Sequence, residues 1–265
     1  MIGSTTTSAA WTALVRHRDD GIAPLGKLLA DDPGRATRLG IEVGDLWIDP
    51  SRQQVTDTTL ALLADLADER SVAASFQQMM DGQPVNVTEG IPALHTALRA
   101  PGHEVIRVGG VDVVPAVHAT LDRMSDLATS IRDGRRTGAT GEPITAVVSL
   151  GIGGSHLGPA LAAEALSHLT LANLTVRFSS NLDGADLVEA LDGLEPASTL
   201  IVVCSKSFTT VETLTAAQSA RAWLVEGLGV DRAAEHVVAV TASPERSEAF
   251  GIPAKLTFEL PQWVG

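Results

Sequence analysis

After residue 140 the chain alternates short β-branched runs with helical stretches, and few folds accept that rhythm. The runs are Ala146-Val147-Val148-Ser149-Leu150, Thr175-Val176-Arg177-Phe178, Thr199-Leu200-Ile201-Val202-Val203, His236-Val237-Val238-Ala239-Val240 and Leu256-Thr257-Phe258. Helical segments fall between them, around 160–169, 185–191, 214–224 and 244–250. Strands separated by helices do not pair as tight hairpins; they pair in parallel through crossovers. Near-continuous apolar strands suit a sheet covered on both faces. Residues 141–265 therefore read as a doubly wound α/β domain.

Residues 1–140 carry a helical period instead. It shows at Trp11, Leu14 and Val15, at Leu60, Leu62, Leu63 and Leu66, and at Val114, Val117, Leu121 and Met124. Turn formers such as Asp31-Asp32-Pro33-Gly34, Asp81-Gly82-Gln83-Pro84 and Pro101-Gly102 break it up. One extended piece, Leu46-Trp47-Ile48-Asp49, reads as a strand or clamp. This part is expected to be a helical segment packing on the α/β domain.

Charge and composition limit the partners. With 19 Lys+Arg against 32 Asp+Glu, a net charge of −13 and 3% aromatics, the chain lacks the basic footprint and stacking platform of a nucleic-acid binder. An anionic ligand must be held locally, by N–H groups, hydroxyls and helix ends. No apolar run approaches the ~18 residues of a membrane span, so no membrane partner is expected. Met1–Thr7 shows no targeting pattern, and the single cysteine, Cys204, excludes a disulfide scaffold. The reading is a soluble, cytoplasmic protein. Seven histidines without ligand spacing imply no metal.

In a doubly wound sheet, ligands sit beyond the carboxyl ends of the strands. Gly151-Ile152-Gly153-Gly154-Ser155 follows the first strand. Its glycines admit positive φ and close approach, and Ser155 adds a hydroxyl. The third glycine of a dinucleotide fingerprint would fall at His156, so that motif is absent. The bland alternative is a tight turn with a serine cap. Ser205-Lys206-Ser207-Phe208-Thr209-Thr210-Val211-Glu212-Thr213 follows the third strand, with five hydroxyls and a lysine. Thr209-x-x-Glu212 fits a capping box. That leaves Ser205, Lys206, Ser207 and Thr210 for a phosphate. A third loop, Ser179 to Asp186, reads as a polar turn capping the next helix. Gly21 to Lys27 imitates a phosphate loop, but Leu28 stands where Ser/Thr is required. Cys204 reads as a small buried strand residue, and His95 and His103 as surface or locally bonded.

These segments, taken in order, resemble the phosphoglucose isomerase family. Val55-Thr56-Asp57-Thr58-Thr59-Leu60 is similar to the start of an early family helix. Asn86-Val87-Thr88-Glu89-Gly90 with Leu94-His95-Thr96-Ala97-Leu98-Arg99 is similar to the N-x-T-E-G…L-H-x-A-L-R segment. Gly151 to Ser155 with Leu157-Gly158-Pro159 resembles the glycine loop, and Ser205 to Thr213 the S-K-T-F-T-T-x-E-T loop. Phe250-Gly251-Ile252 and Trp263-Val264-Gly265 are similar to later landmarks. The resemblance implies a SIS-type sugar-phosphate domain with a five-stranded parallel sheet. It assigns Gly154, Ser155, Ser205, Lys206, Ser207 and Thr210 to the substrate, a phosphorylated hexose. The implied reaction interconverts glucose 6-phosphate and fructose 6-phosphate, in glycolysis and gluconeogenesis, by acid–base chemistry without metal or redox cofactor.

Three departures accompany the match. Ser207 stands where threonine is usual, His156 where aspartate is usual, and Ile91-Pro92 where Arg-Ala is usual. The family's arginine, base glutamate, ring-opening histidine and late lysine match no position here. The chain is thus expected to supply the phosphate-binding half, to hold no catalytic residue and to be inactive alone. It is also expected to self-associate or to need a carboxyl-terminal half. The alternatives are a non-catalytic sugar-phosphate-binding module and an α/β dimerisation scaffold.

Overall fold

The computed structural model describes residues 5–265, so residues 1–4 of the amino-terminal stretch read above lie outside the described residues. The chain forms two compact units, Met1–Met80 and Asp81–Gly265. The change of rhythm near 140 marks where the large sheet begins; the division between units comes earlier.

The first unit holds α1 (Ala9–Asp19), α2 (Leu25–Asp31), α3 (Arg35–Leu39), a hairpin of β1 (Ile41–Val43) and β2 (Leu46–Ile48), α4 (Asp57–Glu69) and α5 (Val72–Met80). The extended piece at Leu46 is thus one arm of an exposed hairpin. Buried Arg35 donates to the carbonyls of Ser51, Gln53 and Val55, which ties down the segment leading to α4. That helix opens with a capping box in which Thr56 and Thr59 bond each other's backbone N–H.

In the second unit a 3-10 turn, His95–Arg99, precedes a small hairpin, β3 (Arg107–Val108) and β4 (Val111–Asp112), and the long helix α6 (Val114–Arg132). Five strands follow: β5 (Ala146–Leu150), β6 (Thr175–Ser179), β7 (Thr199–Cys204), β8 (Val237–Thr241) and β9 (Thr257–Glu259). Between them run α7 (Gly154–Ala165), α8 (Gly184–Leu191), α9 (Val211–Leu228), α10 (Val230–Ala233) and α11 (Pro244–Ala249). All neighbouring strands pair in parallel, in the order β6-β5-β7-β8-β9. Counted from β5 this is the 2-1-3-4-5 order of a doubly wound sheet.

The faces of the sheet differ. On one, Val148, Leu150, Ile201, Val203 and Ala239 are fully buried in a core shared with Ala217, Ala220 and Leu224 of α9. On the other, Leu200 and Val238 are buried, but Val147, Val202 and Val240 are only half-buried beneath Met124, Leu127 and Ile131 of α6. An apolar groove of about 380 Å³ remains between these two layers. The apolar strands suggested two closed faces; within the described residues one is only partly closed. Each closed face is stabilised by area, at roughly 25 cal/mol per Å² of apolar surface removed from water.

Several boundaries differ from the sequence reading, two of them near features of interest. Helix α7 starts at Gly154, so the end of the glycine loop, Gly154 and Ser155, opens the helix. His236 does not open β8; it ends a 3-10 turn, Ala234–His236, just before it. Its ring is fully buried, accepting from the Ala139 N–H at Nε2 (2.9 Å) while Nδ1 lies 2.8 Å from the Thr199 carbonyl. With Nε2 accepting, Nδ1 carries the proton donated to that carbonyl.

Candidate functional site at the sheet switch point

The chain leaves β5 toward β6 on one side and returns to β7 on the other, so the loops after β5 and β7 diverge. A crevice at such a point is where doubly wound sheets hold ligands. Here it is a cleft of about 620 Å³, lined by Ser155 after β5, by Cys204 at the end of β7, by Ser205, Lys206, Ser207 and Thr210 after it, and by Ser243 and Arg246 after β8. Glu89, Ile91, Ile152, Thr213 and Gln262 complete it. The size suits a small polar ligand.

The glycine loop has specific steric reasons for its residues. A Cβ on Gly151 would come within 2.9 Å of the Ser155 carbonyl, so the chain passes there only without a side chain. Gly153 sits at φ +56 as the N-cap of α7, with no side chain capping it. The serine cap considered above is therefore absent. The first turn of α7 lies open beside Ser155, with the positive end of its dipole there.

The loop after β7 is held more tightly. Ser205 is buried, and its hydroxyl donates to Thr210 Oγ1 at 3.3 Å. The Ser207 and Thr209 hydroxyls lie 2.7 Å apart. Between them Phe208 adopts φ +51, a region that costs a residue with a Cβ on the order of 1–3 kcal/mol. Its ring is 3% exposed and meets Phe250 edge-on at 5.8 Å, which offsets that cost. The expected capping box is not formed: α9 has Thr210 as its N-cap and no side-chain cap bond. Thr209 is taken up by Ser207 instead, a local competition that hydroxyl-rich loops invite.

Lys206 lies 3.6 Å from Glu89 Oε2 and donates to the Gly265 carbonyl at 3.0 Å. Glu89 is presented by a turn in which Asn86 Oδ1 accepts from the Thr88 hydroxyl and the Glu89 N–H. Thr213 is 3% exposed, yet its Oγ1 has no hydrogen-bond partner, an unmet group beside the cleft. Cys204 is half-buried, and burial raises its thiol pKa although a bond with Ser149 pulls the other way. At the neighbouring β6 turn, burial works against ionising Asp186, but bonds from the Ser179 hydroxyl and the Ser180 and Asn181 N–H groups outweigh it. With His156 nearby they hold that carboxyl below its ordinary range.

Residues 49–265 match the family model described as phosphoglucose isomerase. The chain belongs to the phosphoglucose isomerase family. It is 50% identical over 258 residues to glucose-6-phosphate isomerase of Streptomyces griseus, covering 96% of this chain and 47% of that protein. It is 47% identical over 266 residues to the Mycolicibacterium smegmatis glucose-6-phosphate isomerase, covering 100% of this chain and 48% of that one. The chain thus spans about half the length of these curated relatives. In fold it matches the crystal structure of a glucose-6-phosphate isomerase from Chlamydia trachomatis, with TM-score 0.76 and 23% identity over 99% of this chain and 49% of that one.

Of the positions that the phosphoglucose isomerase resemblance singled out, Ser155, Ser205, Lys206, Ser207 and Thr210 share the cleft. Gly154 does not line it; it opens α7 next to Ser155. His156, a departure from the family pattern, faces Phe178 of β6 edge-on at 5.6 Å and is not on the lining. Asp183 caps α8 by accepting from the Ala185 N–H, as the polar turn suggested. His95 and His103 are exposed. Sequence reasoning missed Ser243, Arg246 and Gln262, and it counted Thr213 in the loop without giving it to the ligand. The strand-end rule would have led to Ser243 and Arg246 had the loop after β8 been inspected. Among the described residues no His/Cys/Asp/Glu cluster could hold a metal, and no helix is long and apolar enough to cross a membrane.

Proposed function

We propose that this chain supplies the phosphate-binding part of a glucose-6-phosphate isomerase, acting in glycolysis and gluconeogenesis in the cytoplasm. One observation carries the reading: the hydroxyl-bearing residues Ser155, Ser205, Ser207 and Thr210 line one cleft together with Lys206 at the switch point of the sheet. Hydroxyls bind phosphate oxygens without burying a second full charge, and Lys206 supplies a local cation within a chain whose net charge is −13. The substrate is a phosphorylated hexose, and residues 141–265 are its SIS-type binding domain, preceded by the helical residues 1–140. Gly154 serves by letting α7 begin close to the ligand. No position in 1–265 matches the family's acid–base groups, so these residues bind rather than turn over.

Calorimetric titration with 6-phosphogluconate, an open-chain mimic, tests this, with gluconate as control. Saturable binding of the phosphorylated compound alone is expected, weakened at least ten-fold in Ser205→Ala plus Thr210→Ala. Equal behaviour of the two compounds would refute the phosphate site and leave the scaffold reading. Isomerase turnover by the chain alone would refute the division of labour. Self-association, or completion by a carboxyl-terminal half, belongs to the same reading. It is supported by Leu157, Leu161, Leu166 and Leu169, exposed along α7 and just beyond it. A sedimentation profile that stays monomeric at every concentration would count against self-association.

A further inference from the structure

Three consecutive carbonyls of the β7 loop are occupied. Ser205 O accepts from the Phe208 N–H at 3.2 Å. Lys206 O accepts from the Ala242 N–H at 2.9 Å and from the Thr241 hydroxyl at 3.1 Å. Ser207 O accepts from Arg246 Nη1 at 2.6 Å. An anion site needs N–H and O–H groups turned toward it and carbonyl oxygens engaged elsewhere. The Ser205 carbonyl is held by the loop's own backbone, and the Lys206 carbonyl by two donors. The Ser207 carbonyl accepts from an exposed arginine 39 residues away in sequence.

Ser207 directly precedes the left-handed turn at Phe208, a conformation that local preference does not supply. The orientation of the Ser207 carbonyl and the backbone of Phe208 are coupled, because they share a peptide unit. Arg246 also lines the cleft, and among the described residues no carboxylate lies within ion-pair distance of it. Its guanidinium is free of the pairing that ties Lys206 to Glu89.

We propose that Arg246 is a positioning residue for the phosphate loop: by holding the Ser207 carbonyl it fixes the turn at Phe208 and keeps the Ser205, Ser207 and Thr210 hydroxyls on the cleft. The proposal rests on the phosphate reading of that cleft. Its mechanical part can be tested without any ligand.

The experiment compares Arg246→Gln and Arg246→Lys with the unaltered chain. Amide hydrogen exchange is followed by NMR at Phe208 and Thr209, and 6-phosphogluconate is titrated in parallel. In R246Q, exchange at these two amides should rise about ten-fold while exchange within β7 and β8 stays unchanged, and affinity should fall about ten-fold, the scale of one charge-assisted bond. R246K keeps the cationic donor, so both readouts should move back toward the unaltered chain. A side chain that merely fills space would not be rescued in this way. Unchanged exchange in R246Q would overturn the proposal, as would faster exchange with unchanged affinity. If the unaltered chain binds no 6-phosphogluconate but the exchange pattern appears, the brace stands and the phosphate reading fails.

Discussion

Asp186 shows how one carboxylate can organise a turn. It accepts from the Ser179 hydroxyl at 2.7 Å, the Ser180 N–H at 2.8 Å and the Asn181 N–H at 3.1 Å, just where β6 gives way to α8. All three donors favour the ionised form, and together with His156 they lower the folded pKa although burial opposes it. A depressed folded pKa contributes stability that is fully present above the unfolded value and lost as pH falls through the folded one. The unfolded value lies near ~3.9. Asn is isosteric with the protonated acid, so the stability gap between the unaltered chain and Asp186→Asn should be constant at neutral pH. It should close below about pH 4. Urea denaturation at pH 7 and at pH 3 checks this, and a gap that widens on acidification would reverse the assignment. The residue was legible only as part of a polar turn; its three donors become evident once β6 and α8 are placed.

At the scale of elements, the five strands were legible because β-branched runs punctuated by turns leave little else to form. The strand edges were not. His236 heads an apolar run in sequence, yet its imidazole bonds sideways, tying the Thr199 carbonyl at the start of β7 to the Ala139 N–H ahead of β5. Nothing in local sequence announces partners 37 and 97 residues away. The same holds for Arg246 and Ser207, whereas Ser205, Ser207 and Thr210 were legible because one loop carries them all. The Thr209-x-x-Glu212 pattern misled because Ser207 takes up the Thr209 hydroxyl first. His236→Leu keeps the core apolar but strands a carbonyl and an N–H. It should cost about 2–4 kcal/mol, on the scale of two unmet polar groups. Chemical denaturation measures that loss, and a cost under about 0.5 kcal/mol, the scale of a neutral surface change, would show that the bonds are idle.

For the whole molecule, the unusual quantity is the charge. A chain with a net charge of −13 repels a phosphorylated sugar acid at long range, yet the cleft offers Lys206 and Arg246 at contact range. Salt separates the two effects. The screening length shrinks from ~30 Å at 0.01 M to ~8 Å at 0.15 M, so distant repulsion is screened first while contacts within the cleft keep most of their strength. Association, which samples the far field, should therefore accelerate several-fold as salt rises through that range. Dissociation, which breaks only near contacts, should change less. Stopped-flow mixing with 6-phosphogluconate reads both rates. Association that slows with added salt would mean that the two cleft cations govern the approach as well as the contact, and that neither Glu89 on the cleft nor the other acidic residues set the field at its mouth.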